Sequence, residues 1–447
     1  MSYIFEKNFA ITLPKGAENP VVAEILANYT FGREWNINYG DGLFIKIGNG
    51  TPCSPSGFEY AINIENGGVF ISSESFSGVM RGLLAFLEKL KYDDKSDVFY
   101  AECGLLKERG SISFRCVHLC VFPETDLEFL KKCIRSCAIS KFTHVILEFW
   151  GTLKFDAMKE LSWPMAHSRD KIKEIAKEAN ALGVEIIPMF NHLGHASASR
   201  EIMGKHVVLD QNPALCNLFK TCGWIWNYER EDVKSLLKSV RRELIEICGE
   251  GEYFHIGCDE AYGEGKSEND AKELCNYLNE VSSDLKTLGR RPIMWHDMLL
   301  TEEEFPGYIT KGTQPGANII LKELSKDIIM ADWQYCAMGE VWKTSKALKR
   351  AGFDTVCCPW DNKENIEEAV KTVMEKGLFG IIHTTWNTLE KGFRYMIYAG
   401  AISFDASLLG NVVFSNLYAS HVARMAMPAK GEYEKGGWSK KQTGGLL

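Results

Sequence analysis

The chain has 447 residues, 45% of them hydrophobic and 25% charged, with a formal net charge of -8 from 51 basic and 59 acidic side chains. At roughly 100–200 residues per domain, this length allows two to four domains. The composition excludes collagen, coiled coil and wholesale disorder. A mildly acidic chain without a basic cluster argues against a nucleic-acid surface, and no apolar run nears the ~18–20 residues of a membrane span.

The first residues, Met1 to Asn8, have no basic segment followed by an apolar one, so no signal peptide is expected. The 14 cysteines are scattered, and no Cys-x-x-Cys pair occurs. A chain this long can bury a full core without staples, so reduced, buried thiols and a cytoplasmic location are expected.

Residues 1–105 read as a small α+β domain. Strand-like runs at 43–47, 60–64 and 68–72 precede a helical stretch at 76–90. That stretch repeats apolar residues at Val79, Leu83, Leu84, Phe86, Leu87 and Leu90, which is helical spacing. Residues 106–428 alternate between strand and helix. Strands are expected at 113–119, 144–149, 185–190, 253–257, 292–295, 328–333, 354–359 and 380–386. Helices are expected at 127–140, 169–182, 231–248, 270–288, 344–351, 366–376 and 403–425. Gly183, Gly289, Gly352 and Gly377 stand where helices should stop. Eight such alternations fit a (β/α)8 TIM barrel, with an open doubly wound sheet as the runner-up. No Gly-x-Gly-x-x-Gly follows the first strand, which weakens a dinucleotide-binding version. Residues 429–447 form a polar, Gly- and Lys-rich tail.

In such barrels the chemistry sits at the C-terminal ends of the strands. Those ends carry Glu148-Phe149-Trp150, Asn191-His192-Leu193-Gly194-His195, Cys258-Asp259-Glu260, Trp295-His296-Asp297, Trp333-Gln334-Tyr335, Trp360-Asp361 and Trp386-Asn387. Tryptophans beside carboxylates suit a sugar, whose apolar face stacks on indole while its hydroxyls need acceptors. Asp259 and Glu260 are adjacent, so both cannot face the core. Two carboxylates in different environments can divide the work of acid and stabiliser. His192 and His195 are three apart, but no third metal ligand follows at matching spacing.

The run His255-Ile256-Gly257-Cys258-Asp259-Glu260 resembles the His-x-Gly-x-Asp-Glu signature of glycoside hydrolase family 20, the β-N-acetylhexosaminidases. Its continuation to Gly265 most resembles the hexosaminidase D branch. Other blocks follow in family order: Arg109-Gly110, Lys141-Phe142-Thr143-His144, the run 181–188 with Gly194-His195, Trp295-His296-Asp297-Met298, Trp333-Gln334-Tyr335 and Thr385-Trp386. Residues 1–105 resemble the family's small N-terminal domain, so the resemblance covers nearly the whole chain.

This resemblance implies a retaining exo-β-N-acetylhexosaminidase in which the substrate's own 2-acetamido oxygen is the nucleophile. Glu260 would be the general acid and base, and Asp259 would orient the acetamido group. Tyr335 would donate to the acetamido oxygen, and Trp295, Trp333 and Trp386 would wall the sugar. Arg109 would bind hydroxyls, and His195 and His255 would support the acid pair. Glu148, Asn191, Asp297 and Trp360 complete the expected substrate-binding set. No cofactor and no metal are implied. The partner is an amino-sugar glycoside, with no nucleic acid and no membrane, and homo-oligomerisation is left open.

The chain departs from the family at Phe114, where many members have Asp, and after Glu148. It departs again at Trp386-Asn387-Thr388 with Glu390, and at Trp333-Gln334-Tyr335, which stands where the family usually has Asp-x-Tyr. These changes touch hydroxyl recognition and leave open the choice between gluco and galacto sugars. A metal-dependent barrel hydrolase and a non-catalytic N-acetylhexosamine-binding protein remain the alternative readings.

Overall fold

The structure, a computed structural model, describes residues 2–5, 9–122, 125–149, 151–197, 209, 212–335, 340–386 and 389–427. Its first part builds two sheets. One has three strands in the order β1 (Ser2–Phe5), β8 (Val98–Glu102), β7 (Lys91–Asp93). The other has six, in the order β3 (Trp35–Gly40), β2 (Phe9–Pro14), β4 (Phe44–Gly48), β6 (Gly68–Ser72), β5 (Tyr60–Glu65), β9 (Gly104–Glu108). The helix Phe76–Leu87 starts at Ser75, whose hydroxyl accepts the Gly78 N–H at 3.0 Å. Val79, Leu83, Leu84, Phe86 and Leu87 are all buried on it. The unit reaches past the expected boundary at 105, because β9 pairs with β5 along its whole length, Tyr60 opposite Glu108.

Eight parallel strands then close a barrel: β10 (Phe114–Val121), β11 (His144–Phe149), β12 (Glu185–Met189), β13 (Tyr253–His255), β14 (Arg291–Trp295), β15 (Ile329–Trp333), β16 (Thr355–Cys358) and β17 (Gly380–His383). Closure is direct, since β10 pairs with both β11 and β17. Each strand falls within a few residues of its expected position. The reason is physical: parallel strands covered on both faces read as short apolar runs. Inward side chains, among them Phe114, Cys116, Ile146, Ile187, Met189, Ile293, Trp295, Ile329, Val356 and Ile382, fill the lumen as a separate core.

Helices at Leu127–Ile139, Arg169–Ala181, Glu231–Cys248, Glu268–Thr287, Lys343–Arg350 and Lys363–Lys376 pack outside. A helix at Gly316–Glu323 was not expected from the sequence. The stretch 403–425 is not one helix. Leu389–Phe404 ends before Asp405, whose side chain accepts the Ser407 N–H at 3.0 Å, and Val412–Met425 starts anew. None of the described helices is long and apolar enough to cross a membrane. Every described cysteine is a free thiol.

The two parts are joined through Glu59. Its carboxylate pairs with Arg115 at 2.8 Å and with Arg81, and it accepts the Gly110 N–H at 3.2 Å. Burial alone would raise the Glu59 pKa, but the two guanidiniums outweigh it and hold it at about 2. Arg115, 1% exposed, also donates to the carbonyls of Ile112 at 2.6 Å and Lys141 at 2.7 Å. The linker 109–113 thus belongs to the joint beneath the barrel, opposite the strand ends that hold the site.

Candidate active site

After β13 the chain turns sharply. Gly257, Cys258 and Glu260 all have positive φ, at 68°, 76° and 49°. For Cys258 and Glu260 that conformation is strained, and strain of this kind gathers where function demands a fixed geometry. Two glycines let the loops pack this closely. A Cβ on Gly257 would fall 1.7 Å from Asn191 Oδ1, and one on Gly194 would fall 2.0 Å from the Asp259 carbonyl. The backbone carbonyl of Gly257 accepts the Trp295 N–H at 2.9 Å, and the Glu260 N–H donates to Asp297 Oδ2 at 2.9 Å.

The turn throws Asp259 and Glu260 toward one histidine. His195 Nε2 lies 3.2 Å from Asp259 Oδ2 and 3.2 Å from Glu260 Oε2. Burial would push the His195 pKa down, but the two carboxylates outweigh burial and raise it to about 10, so the ring is an imidazolium. Trp224 packs on His195 at 4.2 Å between ring centroids and donates its indole N–H to the Glu260 carbonyl at 2.9 Å. The other oxygen of Glu260, Oε1, accepts the Tyr262 hydroxyl at 2.7 Å and lies 3.9 Å from Lys311 Nζ. Burial alone would raise the Glu260 pKa. Hydrogen bonds from His195 and Tyr262, with the charges of His195 and Lys311, hold it below the usual carboxylate range. Asp297 is fully buried, and desolvation and the charges of Asp259 and Glu260 push its pKa to about 7. Asp259 is 6% exposed, and its Oδ1 has no hydrogen-bond partner among the described residues.

Beside this acid cluster stands an aromatic wall. Tyr335 packs between Trp333 at 5.5 Å and Trp360 at 5.3 Å. Its hydroxyl accepts the Trp386 indole N–H and lies 3.1 Å from Thr384 Oγ1. Trp333 donates to Asp297 Oδ1 at 3.4 Å, which ties the wall to the acids. Burial pushes the Tyr335 phenol well above its ordinary range, so it remains a donor.

Residues 146–363 match the family model described as glycosyl hydrolase family 20, catalytic domain. That segment carries the glycosyl hydrolase family 20 catalytic domain. The chain is 24% identical to hexosaminidase D of Bos taurus over 272 residues, covering 55% of this chain and 76% of that one. It is 25% identical to the human hexosaminidase D over 257 residues, covering 50% of this chain and 49% of that one. Among solved structures, the family 20 exo-β-N-acetylglucosaminidase from Vibrio harveyi, in complex with N-acetylglucosamine, superposes with a TM-score of 0.67. That match covers 95% of this chain and 76% of that one at 15% identity, and shows the fold. The chain is a glycoside hydrolase.

The family 20 barrel brings together Asp259, Glu260, His195, Asp297, Trp333, Tyr335, Trp360 and Trp386. It does not bring the remaining expected residues to the same place. Arg109 is exposed and lies five residues before β10 begins, at the wrong end of that strand. At about 3.3 Å per residue, the eight-residue strand separates it from the site by about 26 Å. The arginine inside the strand is Arg115, and it is spent on Glu59. Phe114 likewise belongs to the barrel floor, stacked on His144 at 4.6 Å, so it does not replace an acid at the mouth. The residue of β10 level with Glu148 is Cys120.

Glu148, Asn191, His255 and Trp295 lie beneath the site, each no more than 2% exposed. Glu148 Oε2 bonds His118 Nε2 at 2.6 Å, and Asn191 Nδ2 donates to Glu148 Oε1 at 3.1 Å. His255 Nδ1 accepts the Gly257 N–H at 3.0 Å, and its ring packs on Trp295 at 4.4 Å. Trp295 in turn supports Trp386 at 5.4 Å. These residues shape the floor that holds the wall. Trp150, Asn387 and Thr388 lie outside the described residues, as does the side chain of Glu390.

Sequence reasoning missed Trp224, Lys311, His118 and Cys120, and passed over Tyr262. Tyr262 had a usable signal, two residues beyond Glu260. Trp224 and Lys311 come from long irregular loops, where no periodicity points to them. One group with metal-ligand chemistry is found among the described residues: His118, Cys120 and Glu148, with ligand atoms within 4.8 Å of one another. All three are buried, and their polar atoms already face each other in hydrogen bonds. His192 is not part of it, since its Nδ1 is held on the Phe190 carbonyl at 2.6 Å.

Proposed function

We propose that this glycoside hydrolase is a retaining, exo-acting β-N-acetylhexosaminidase that uses the substrate's acetamido oxygen as nucleophile. The observation that carries this reading is the unpartnered, buried Asp259 Oδ1 beside Glu260. A buried carboxylate oxygen left without a partner is costly. An acetamido N–H would satisfy it, and the interaction would strengthen as that group gains positive charge.

In the first half-reaction the Glu260 carboxyl gives its proton to the glycosidic oxygen. The acetamido oxygen bonds to the anomeric carbon as the bond to the leaving group breaks. Asp259 accepts from the acetamido N–H and stabilises the oxazolinium-like charge, while Tyr335 donates to the reacting oxygen. In the second half Glu260, now a carboxylate, takes a proton from water. The water oxygen attacks the anomeric carbon and the ring reopens, with configuration retained. Trp333, Trp360 and Trp386 offer aromatic faces to the sugar. The packed floor closes the site from below, which suits a terminal sugar. The names of the relatives, hexosaminidase D and exo-β-N-acetylglucosaminidase, agree with this chemistry. The free thiols support a reducing compartment such as the cytoplasm.

The test is hydrolysis of aryl β-GlcNAc and β-GalNAc glycosides, followed by NMR of the first-formed anomer. Turnover with a β product is expected, and an α product would rule out the retaining mechanism. The ratio of the two rates settles the gluco or galacto preference.

His195 sets the pH dependence. Its positive charge favours ionised Glu260, as do Lys311 and the Tyr262 hydroxyl, while Asp259 and Asp297 oppose them. Removing the cation therefore lets Glu260 keep its proton to higher pH. His195→Gln is expected to lower kcat/KM and move the alkaline limb of its pH profile upward. A limb that stays in place or moves down contradicts this electrostatic role.

A further inference from the structure

Beneath the aromatic wall, two neighbouring strands bring a nitrogen, a sulfur and an oxygen to one point. His118 and Cys120 are two apart on β10, so their side chains leave the strand on one face, the lumen face marked by Phe114 and Cys116. Glu148 stands directly opposite Cys120 on β11. None of the three is more than 1% exposed. His118 Nε2 lies 2.6 Å from Glu148 Oε2 and 3.9 Å from Cys120 Sγ, and Sγ lies 3.5 Å from the same Oε2. A triangle with those sides has a circumradius of about 2.0 Å, so one point sits at metal–ligand distance from all three atoms. In a tetrahedral zinc site the two edges from sulfur are about 3.5 Å and the nitrogen–oxygen edge about 3.3 Å. Both sulfur edges are already within about 0.4 Å of that, and only the His118–Glu148 edge has to open, by about 0.7 Å.

Protons hold the cluster together as it stands. With the imidazole neutral, Glu148 Oε2 accepts from its N–H and from the Cys120 thiol, so hydrogens occupy the place a cation would take. A divalent cation exchanges with them in a balanced step. The thiol gives up its proton, the imidazole hydrogen moves from Nε2 to Nδ1, and the carboxylate stays ionised. One cation enters for one proton released, and a site of charge -1 becomes neutral. The surroundings suit a ligand set. Asn191 Nδ2 donates to Glu148 Oε1 at 3.1 Å, which turns Oε2 toward the histidine and the thiol. Thr385 Oγ1 pins the His118 carbonyl at 2.7 Å. Magnesium and calcium take six or more oxygens, whereas thiolate with imidazole selects zinc-class cations. His255 does not join the set: its Nδ1 accepts the Gly257 N–H, so its Nε2 carries the hydrogen and has no lone pair to give.

We propose that His118, Cys120 and Glu148 form a zinc-class metal site inside the barrel, with a fourth position left to water, which fastens β10 to β11 beneath the candidate active site. It stands apart from the chemistry of Asp259 and Glu260 and does not rest on the hexosaminidase reading.

The test uses the full chain, stripped with a chelator and carrying Cys216→Ser and Cys222→Ser to remove the two exposed thiols among the described residues. Cobalt(II) alone is expected to bind once per chain with a thiolate-to-cobalt charge-transfer band, and zinc to displace it. Zinc should also raise the unfolding temperature, because it binds the folded state. Cys120→Ser should abolish both the band and the shift. Asn191→Leu should keep the band and weaken metal binding by about 10–100-fold, the usual worth of a group that orients a ligand. X-ray absorption of the zinc-loaded protein should show one sulfur among nitrogen and oxygen ligands, a readout that needs no Cys120 variant to fold. Absence of stoichiometric binding or a sulfur-free shell overturns the site. A band that survives Cys120→Ser also overturns it and means an adventitious ion only. Turnover of aryl β-hexosaminides by the stripped protein tests the hexosaminidase reading separately, so the two can fail independently.

Discussion

Glu260→Gln will reduce kcat/KM on β-N-acetylhexosaminyl disaccharides by about 10²–10⁴-fold, the usual worth of a positioned general acid. The amide can still accept from Tyr262, so the local fold should survive. What it loses is the proton. The loss should therefore depend on the leaving group. A sugar alkoxide cannot depart without protonation, whereas a dinitrophenolate can. A series of leaving groups measured on wild type and variant should give two lines that converge as the leaving group improves. Parallel lines, or near wild-type turnover of a disaccharide, would remove Glu260 from this role. The geometry already marks it: the residue is held at positive φ by the Asp297 contact to its N–H and the Trp224 contact to its carbonyl. That clamp fixes the direction of the side chain before substrate arrives.

The second large effect is expected at Asp259. Asp259→Asn keeps the size and the contact to His195 but removes the charge that faces the acetamido N–H. Loss of one such preorganised electrostatic partner costs about 10²–10³-fold in kcat. The loss should persist on activated aryl glycosides, because the acetamido group attacks whatever the leaving group is. Glu260→Gln and Asp259→Asn are thus separated by one measurement. A thiazoline mimic of the cyclised intermediate should bind the wild-type enzyme tightly and the Asp259→Asn variant weakly. Equal affinity for both proteins would mean that Asp259 does not touch the acetamido group.

Much of this site was legible because its information is local. Asp259 and Glu260 are neighbours at the end of an apolar strand, and adjacency needs no tertiary knowledge. Trp333 and Tyr335 are two apart on one strand end and face the same side for the same reason. The eight strand runs were readable because a strand covered on both faces must be apolar throughout. Depth within the barrel was not legible. Trp295 and Trp333 look alike as strand-end tryptophans, yet Trp295 is fully buried and Trp333 is not. The stagger of neighbouring strands decides that difference, and it is set by closure of the whole sheet. Arg109 failed in the same way. The pairing of Phe114 with Gly380 fixes where β10 starts, and it leaves Arg109 in the joint below.

The sequence by itself determined the architecture, the acid pair and the aromatic character of the pocket, since each follows from residues close together in the chain. Only the tertiary structure decided what surrounds Glu260. Asp297 is 37 positions away and Trp224 is 36 away, and Lys311 arrives on a loop without periodic pattern. Those partners set the charge, the orientation and the leaving-group side of the acid. Convergence of distant loops at one barrel mouth depends on how all eight strands close, and no local stretch of sequence records it.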